Sequence, residues 1–336
     1  MRRILVLAHT GRSDALRAAF DTCVSLRDAG LVPVMREEEF ANLQEAMPAL
    51  VPEVQILGTD AELADLDVAM VLGGDGTVLR SAELVRGSNV PLLGVNLGHV
   101  GFLAESERSD LRETVQCVVD RKYTVEERMA LDVVVWHGNR HVATTWALNE
   151  AAVEKADRER MLEVVAEVDA RPISTFGCDG IVMATPTGST AYAFSAGGPV
   201  VWPEVEALIM APISAHALFV RPLVAAPSST LAVEVLSRTD AHGVLWCDGR
   251  RTITLLPGSR VEVTRSTVPV KLARVNQTPF SERLVKKFEL PTNGWRGPVE
   301  HPEQGPTTSA LPIVASGIEV VEPRNLAPRP ETEGHP

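Results

Sequence analysis

An apolar run, Val68–Leu72, passes through Gly73-Gly74-Asp75-Gly76-Thr77 into an amphipathic stretch, Val78–Val85. Strand, glycine turn and helix in that order commit this part of the chain to an α/β layer. Glycines at such a junction let the backbone approach a ligand and turn the helix's first amides toward an anion. An acid in the middle of the loop is wrong for a plain phosphate cradle, because it repels the ligand. It makes sense if Asp75 takes a proton from a hydroxyl, or orients a metal, beside a transferring phosphoryl group. The plain alternative is a tight turn with Asp75 as a helix cap. There is no Gly-Lys pair for a P-loop, and no complete G-x-G-x-x-G follows the strand.

The surrounding pattern repeats the same units. Residues 2–8 read as a buried strand, too short in its apolar run for a signal peptide. Leu16, Ala19, Phe20 and Cys23 mark a helix face that stops at Gly30, and Leu31 to Met35 form a second strand. Residues 37–53 are acidic and read as irregular. Pro91–Val95 is a further strand, and Leu111, Val115, Val118 and Val119 share a helix face. Residues 1–123 therefore predict a Rossmann-like α/β domain with parallel strands.

Near residue 124 the rhythm changes to short apolar runs separated by glycine and proline turns. They fall at Leu131–Trp136, His141–Leu148, Met161–Val168, Gly180–Ala184, Leu218–Val224, Leu231–Leu236, Val244–Cys247, Thr252–Leu256, Val261–Arg265 and Val268–Val275. A β-sandwich over residues 124–280 is expected, followed by a helix at about 281–290 that returns to the first domain. His137 and His141 flank Gly138-Asn139, which makes them a hairpin pair and not a metal site. Residues 297–336 carry eight prolines and little periodic apolar content, so a disordered tail is expected there.

A second small-residue segment lies in this half. Cys178-Asp179-Gly180 opens a strand, Thr185-Pro186-Thr187-Gly188-Ser189-Thr190 follows, and Ala191-Tyr192-Ala193-Phe194-Ser195 leads to Gly197-Gly198. Ser189 reads as the N-cap of a short helix whose amides could meet ligand oxygens, and Tyr192 could stack or hydrogen-bond. The net charge of −12 argues against nucleic acid or an anionic membrane as partner. Four widely spaced cysteines form no C-x-x-C, which points to a reduced, cytoplasmic protein.

Together the two motifs resemble those of the NAD kinases, which transfer a phosphoryl group to the adenosine-ribose 2′-hydroxyl of NAD. The glycine loop alone also occurs in diacylglycerol and sphingosine kinases; the TPTGSTAY segment followed by SAGGP is far more specific. The resemblance covers roughly residues 2–290. It implies Asp75 as proton acceptor with Gly76 beside the ribose, Gly73, Gly74, Gly76 and Thr77 around the donor phosphates, and Arg80 toward a phosphate. It implies Asn149 and Glu150 on the dinucleotide's base and ribose, with Asp179, Thr190, Ala191, Tyr192, Ala193, Phe194 and Ser195 lining the rest. Phe102 would pack near the adenine or in the core, and Arg160, within a charge run, would touch the ligand. ATP or inorganic polyphosphate would be the donor, bringing Mg²⁺ with it. Neighbouring subunits of a homo-oligomer would complete the site. A lipid or sugar kinase and a non-catalytic dinucleotide sensor are the alternatives.

Overall fold

The computed structural model describes residues 1–292 apart from 10, 49–51, 99–100, 105, 108–109, 158–159, 218–220, 239 and 276–277, so the expectation for residues 297–336 lies outside the described residues. Its first half runs β1 (Arg3–Ala8), α1 (Ser13–Asp28), β2 (Val32–Met35), α2 (Glu37–Ala46), β3 (Gln55–Ile56), β4 (Leu66–Leu72), α3 (Asp75–Val85), β5 (Leu92–Asn96), β6 (Ser106–Glu107), α4 (Leu111–Val119) and β7 (Thr124–Arg128). The second half continues β8 (Leu131–His137), β9 (Arg140–Ala147), β10 (Glu150–Lys155), β11 (Leu162–Val168), β12 (Arg171–Cys178), β13 (Gly180–Ala184) and α5 (Tyr192–Ser195). It ends β14 (Leu208–Ile213), β15 (Leu223–Ala225), β16 (Leu231–Val235), β17 (Gly243–Cys247), β18 (Arg251–Leu255), β19 (Ser259–Arg265), β20 (Val270–Arg274) and α6 (Phe280–Phe288).

The first sheet has the order β3-β2-β1-β4-β5-β20-β7, with β6 also on β5. Strands β3 to β5 pair in parallel, and the chain reverses direction across the sheet between β1 and β4. Alternate residues of β1 and β4 feed opposite faces, as a doubly covered sheet requires. Ile4, Val6, Met70 and Leu72 pack with Ala15, Ala19 and Cys23 of α1 and with Val115 and Val118 of α4. Leu5, Leu7, Ala69 and Val71 pack with Val78, Ala82 and Val85 of α3.

Three sequence expectations change here. Residues 37–46, expected to be irregular, are helical. Three glutamates in the first turn complement the helix dipole, while Phe40 and Leu43, one turn apart, face the core. Helix α3 starts at Asp75 itself, three residues earlier than its apolar pattern. Strand β20, expected within the second domain, and β7, whose residues fell in that domain's expected range without being read as a strand, belong to the first sheet: β20 pairs with β5 through Leu272↔Leu92 and with β7 over five residues. Val270 and Leu272 bury on one face and Ala273 on the other, which suits a covered strand.

Strands β8–β19 form two six-stranded sheets, β15-β14-β13-β10-β17-β18 and β12-β11-β16-β19-β8-β9. Their inward alternate residues make one core: Ala151, Val153, Ile181, Met183 and Leu245 from the first, Val133, Val135, Val164, Val233 and Val261 from the second. Three of these strands, β10, β12 and β14, were absent from the sequence expectation. Among the described residues no helix is long and apolar enough to cross a membrane.

Candidate active site

The glycine loop follows β4, in the middle of the first sheet. Gly74 is the N-cap of α3 and its carbonyl accepts from Thr77 and Val78. A Cβ on Gly73 would collide with the Thr77 side chain, whereas one on Gly74 or Gly76 would meet nothing within 4 Å. Gly73 is thus a packing glycine, and Gly74 and Gly76 are the ones that leave the loop face open. Asp75 does not cap its own helix. Its carboxylate reaches the segment after β5, where Oδ2 accepts from the Phe102 amide at 2.9 Å. Oδ1 accepts from Leu103 at 3.0 Å and from Ala104 at 3.4 Å. Gly101 has no room for a side chain because Asp75 lies against it.

The second motif assembles around Asn149 and Glu150. Thr185 donates through its hydroxyl to the Leu148 carbonyl at 2.6 Å and through its amide to the Asn149 carbonyl at 2.9 Å. The tight turn Thr187–Thr190 then lies on that strand end so closely that a Cβ on Gly188 would overlap the Asn149 carbonyl. Ser189, expected as an N-cap, is fully buried and exchanges hydrogen bonds with the Val201 backbone, accepting at 2.9 Å and donating at 3.2 Å. Helix α5 is only one turn long. Its Ala193 is fully buried, in a cluster with Ala152, Val182 and Ile209. Thr190 and Ala191 are half-buried; Tyr192, Phe194 and Ser195 are exposed.

Glu150 is 7% exposed. Burial, then the neighbouring Asp248 carboxylate, push its carboxyl up to about 8, opposed by the Tyr192 amide, which donates to Oε2 at 3.4 Å. Asp248, followed by Gly249, occupies the β17–β18 hairpin turn, with φ of 52° and then 65°. Its carboxylate also accepts from the Leu148 amide at 3.0 Å and the Asn149 amide at 2.7 Å, and holds Arg251 Nη2 at 2.7 Å. Burial raises the Asp248 carboxyl, opposed by these amides and by Arg251. Arg251 also meets Glu83 of α3 at 3.1 Å, and Arg251 and Arg86 both lie over the Trp146 ring, at 4.6 and 4.2 Å. The helix that carries Asp75 at its start is therefore tied at its far end to the strand end carrying Asn149. The only sequence signal for this was the Asp-Gly turn.

The remaining expected residues divide. Phe102 is packed against Phe280 and Phe288 of α6, at 5.7 and 5.9 Å between rings, and Phe288 stacks on Phe194 at 4.5 Å. Helix α6 thus joins the Asp75-bound segment to α5, and the Phe102 ring is spent on that cluster. Arg80 is exposed on α3, lining a small cavity together with Arg36, the N-cap of α2, and Glu39 within that helix. Asp179 is ion-paired with Lys155, which together with a Ser214 hydrogen bond holds its carboxyl below the ordinary value despite partial desolvation. Arg160 is exposed between β10 and β11. Arg12, at the N-cap of α1, lies beside Gly98 after β5, a placement that no sequence pattern marked.

Over residues 10–123 the chain matches the ATP-NAD kinase N-terminal domain, and over residues 148–275 the ATP-NAD kinase C-terminal domain. It is 60% identical over 297 residues to an NAD kinase of Leifsonia xyli subsp. xyli, covering 88% of this chain and 97% of that one. It is 57% identical over 309 residues to an NAD kinase of Thermobifida fusca, covering 90% and 94%. In fold it is similar to yeast NADH kinase complexed with NADH, with TM-score 0.77 and 20% identity over 87% of this chain and 89% of that chain. It is also similar to an NAD kinase from Archaeoglobus fulgidus in complex with ATP, with TM-score 0.64 and 24% identity over 86% and 100%.

Proposed function

The chain belongs to the ATP-NAD kinase family, whose reaction is phosphorylation of NAD, and on that premise we propose that Asp75 is the proton acceptor for the adenosine-ribose 2′-hydroxyl. The observation that carries this is the placement of Asp75: first residue of α3, between two open glycines, its carboxylate fixed by three amides of residues 102–104. A carboxylate has about four acceptor positions. Oδ2 receives one amide and keeps room for the hydroxyl hydrogen. The proton passes to Asp75 as the new P–O bond forms, since phosphoryl transfer depends mainly on alignment and charge neutralisation.

The parallel sheet would serve as the Rossmann-like half, the two facing antiparallel sheets as a β-sandwich, and the GGDGT loop as the donor-phosphate cradle. Asn149 and Glu150 would hold the dinucleotide's base and ribose, beside Thr190, Ala191 and Tyr192. The exposed Tyr192, Phe194 and Trp202 favour a second copy of the chain completing the site. No group of three or more His, Cys, Asp or Glu among the described residues could cage a cation. Mg²⁺ would therefore arrive on the donor phosphates and neutralise charge there. The free cysteines favour a reducing compartment. Purified protein with NAD, ATP and Mg²⁺ should form NADP, and its absence at any NAD concentration would overturn the reading.

A further inference from the structure

Two of the three amides that fix Asp75 belong to peptide units that are also gripped from behind. In a trans peptide the C=O and N–H point opposite ways, so whatever holds the carbonyl aims the amide. Arg274 Nη1, at the end of β20, donates to the Leu103 carbonyl at 3.3 Å. The same peptide unit carries the Ala104 amide, which donates to Asp75 Oδ1. Arg283 Nη1 of α6 donates to the Phe102 carbonyl at 3.4 Å. That peptide unit carries the Leu103 amide, 3.0 Å from the same Oδ1. Two guanidinium groups thus stand behind the two peptides that meet one carboxylate oxygen.

Both arginines are themselves held in place. Arg274 is 7% exposed, and its Nε donates to Glu126 Oε2 at 2.8 Å. The other oxygen of Glu126 pairs with Arg128 Nη2 at 2.5 Å, so one carboxylate of β7 orients two arginines. Arg283 donates from Nη2 to the Thr278 carbonyl at 3.1 Å, and its helix is seated on Phe102 by Phe280 and Phe288. Burial, then the neighbouring Arg274, push the Arg128 guanidinium down to about 10, opposed by Glu126. A guanidinium keeps its charge at neutral pH all the same. In the low dielectric of the interior it polarises the peptide it grips, and the hydrogen bond at the far end strengthens by about 10–30%. The loop has a use for this, because donor phosphates would bring negative charge up to a carboxylate that must stay aligned with a hydroxyl.

We propose that Arg274 and Arg283 are positioning residues for Asp75: through the Leu103 and Phe102 peptides they hold its carboxylate in line with the acceptor hydroxyl and offset its charge as the donor phosphates arrive. This rests on the reading of Asp75 as the proton acceptor.

The test is steady-state kinetics of Arg283→Met and Arg274→Met, each alone and combined with Asp75→Asn. Methionine keeps an apolar stem and removes the charge. Each arginine variant should lower kcat about tenfold or more, with KM for NAD and for ATP within about twofold of wild type, since lost alignment at the reacting atoms falls on kcat. Arg283→Lys, which keeps a cationic donor on the same stem, should recover most of that loss. In the Asp75→Asn background the same methionine changes should cost less than about twofold, because no carboxylate remains to be held. A merely structural tether would lower turnover by the same factor in both backgrounds, and that result would overturn the proposal. So would full kcat in the methionine variants, or a loss confined to KM. Arg283 is only half-buried, so Arg283→Met decides the matter if Arg274→Met fails to fold. Near-normal turnover in Asp75→Asn is a separate result: it strikes the proton-acceptor reading itself and takes the positioning role with it.

Discussion

Asp75 is asked to do two things at once. It stands between the two open glycines of the loop, where the proton-acceptor role is proposed, and it also anchors the Phe102–Ala104 backbone through three hydrogen bonds. Asparagine would keep one acceptor oxygen and turn an amide N–H₂ toward donors. Asp75→Asn should therefore lower turnover about 10²–10⁴-fold. It should also lose at least one charge-assisted bond, about 1.5–3 kcal/mol, read as a lower thermal midpoint. Near-normal turnover would remove the proton-acceptor role, and an unchanged midpoint would remove the anchoring one. Glu150 offers a pH test. Its folded value is raised from 4.5 to about 8, so its contribution to stability is complete below about pH 4.5 and is lost as pH rises through about 8. Glu150→Gln, which imitates the neutral form, should flatten the fall in thermal midpoint between about pH 5 and 8.5. Equal slopes in both proteins would show that Glu150 titrates normally. The acid in the glycine loop was legible in the sequence because its chemistry clashes with its surroundings. Its hold on residues 102–104 was not, since no local pattern reports a partner 27 positions away.

Helices and strands with a clear period were legible, and those without one were not. Helix α1 and strands β1 and β4 follow their apolar spacing. Helix α2 buries only Glu39 and Leu43, so its period is too faint beside a run of glutamates. The second small-residue segment was recognised by composition, yet its individual roles come from packing. Ser189 is a buried tie to Val201, and Gly188 is the close approach to Asn149. Gly188→Ala should push the turn off the strand end at about 1–3 kcal/mol and raise the NAD requirement, measured by melting and by KM for NAD. The β17–β18 turn carries the other support. Asp248→Asn tolerates the positive φ but leaves a buried amide of Leu148 or Asn149 poorly served, about 1–3 kcal/mol. KM for NAD should rise with KM for ATP nearly constant. A rise in the ATP requirement alone would detach Asp248 from the dinucleotide side.

Across the described chain, residues Met1–Leu290 form one compact unit. The sheet-rich part leaves the first sheet at β7 and re-enters it at β20, and these two strands are neighbours. Heating should therefore give one calorimetric transition, with van't Hoff and calorimetric enthalpies in agreement. Two resolved peaks would mean that the β7–β20 pair does not couple the halves. The same return sets an order of events during synthesis. Residues 1–119 leave the ribosome first and hold most of the parallel sheet, but β5 waits for its neighbour β20 until residue 274 has emerged. At about 5–20 residues per second, the roughly 150 intervening residues hold the Leu92 end of that edge, beyond the reach of β6, open for several seconds or more. The inserted sheets can mature in the meantime. The half of the protein made first is the last to close.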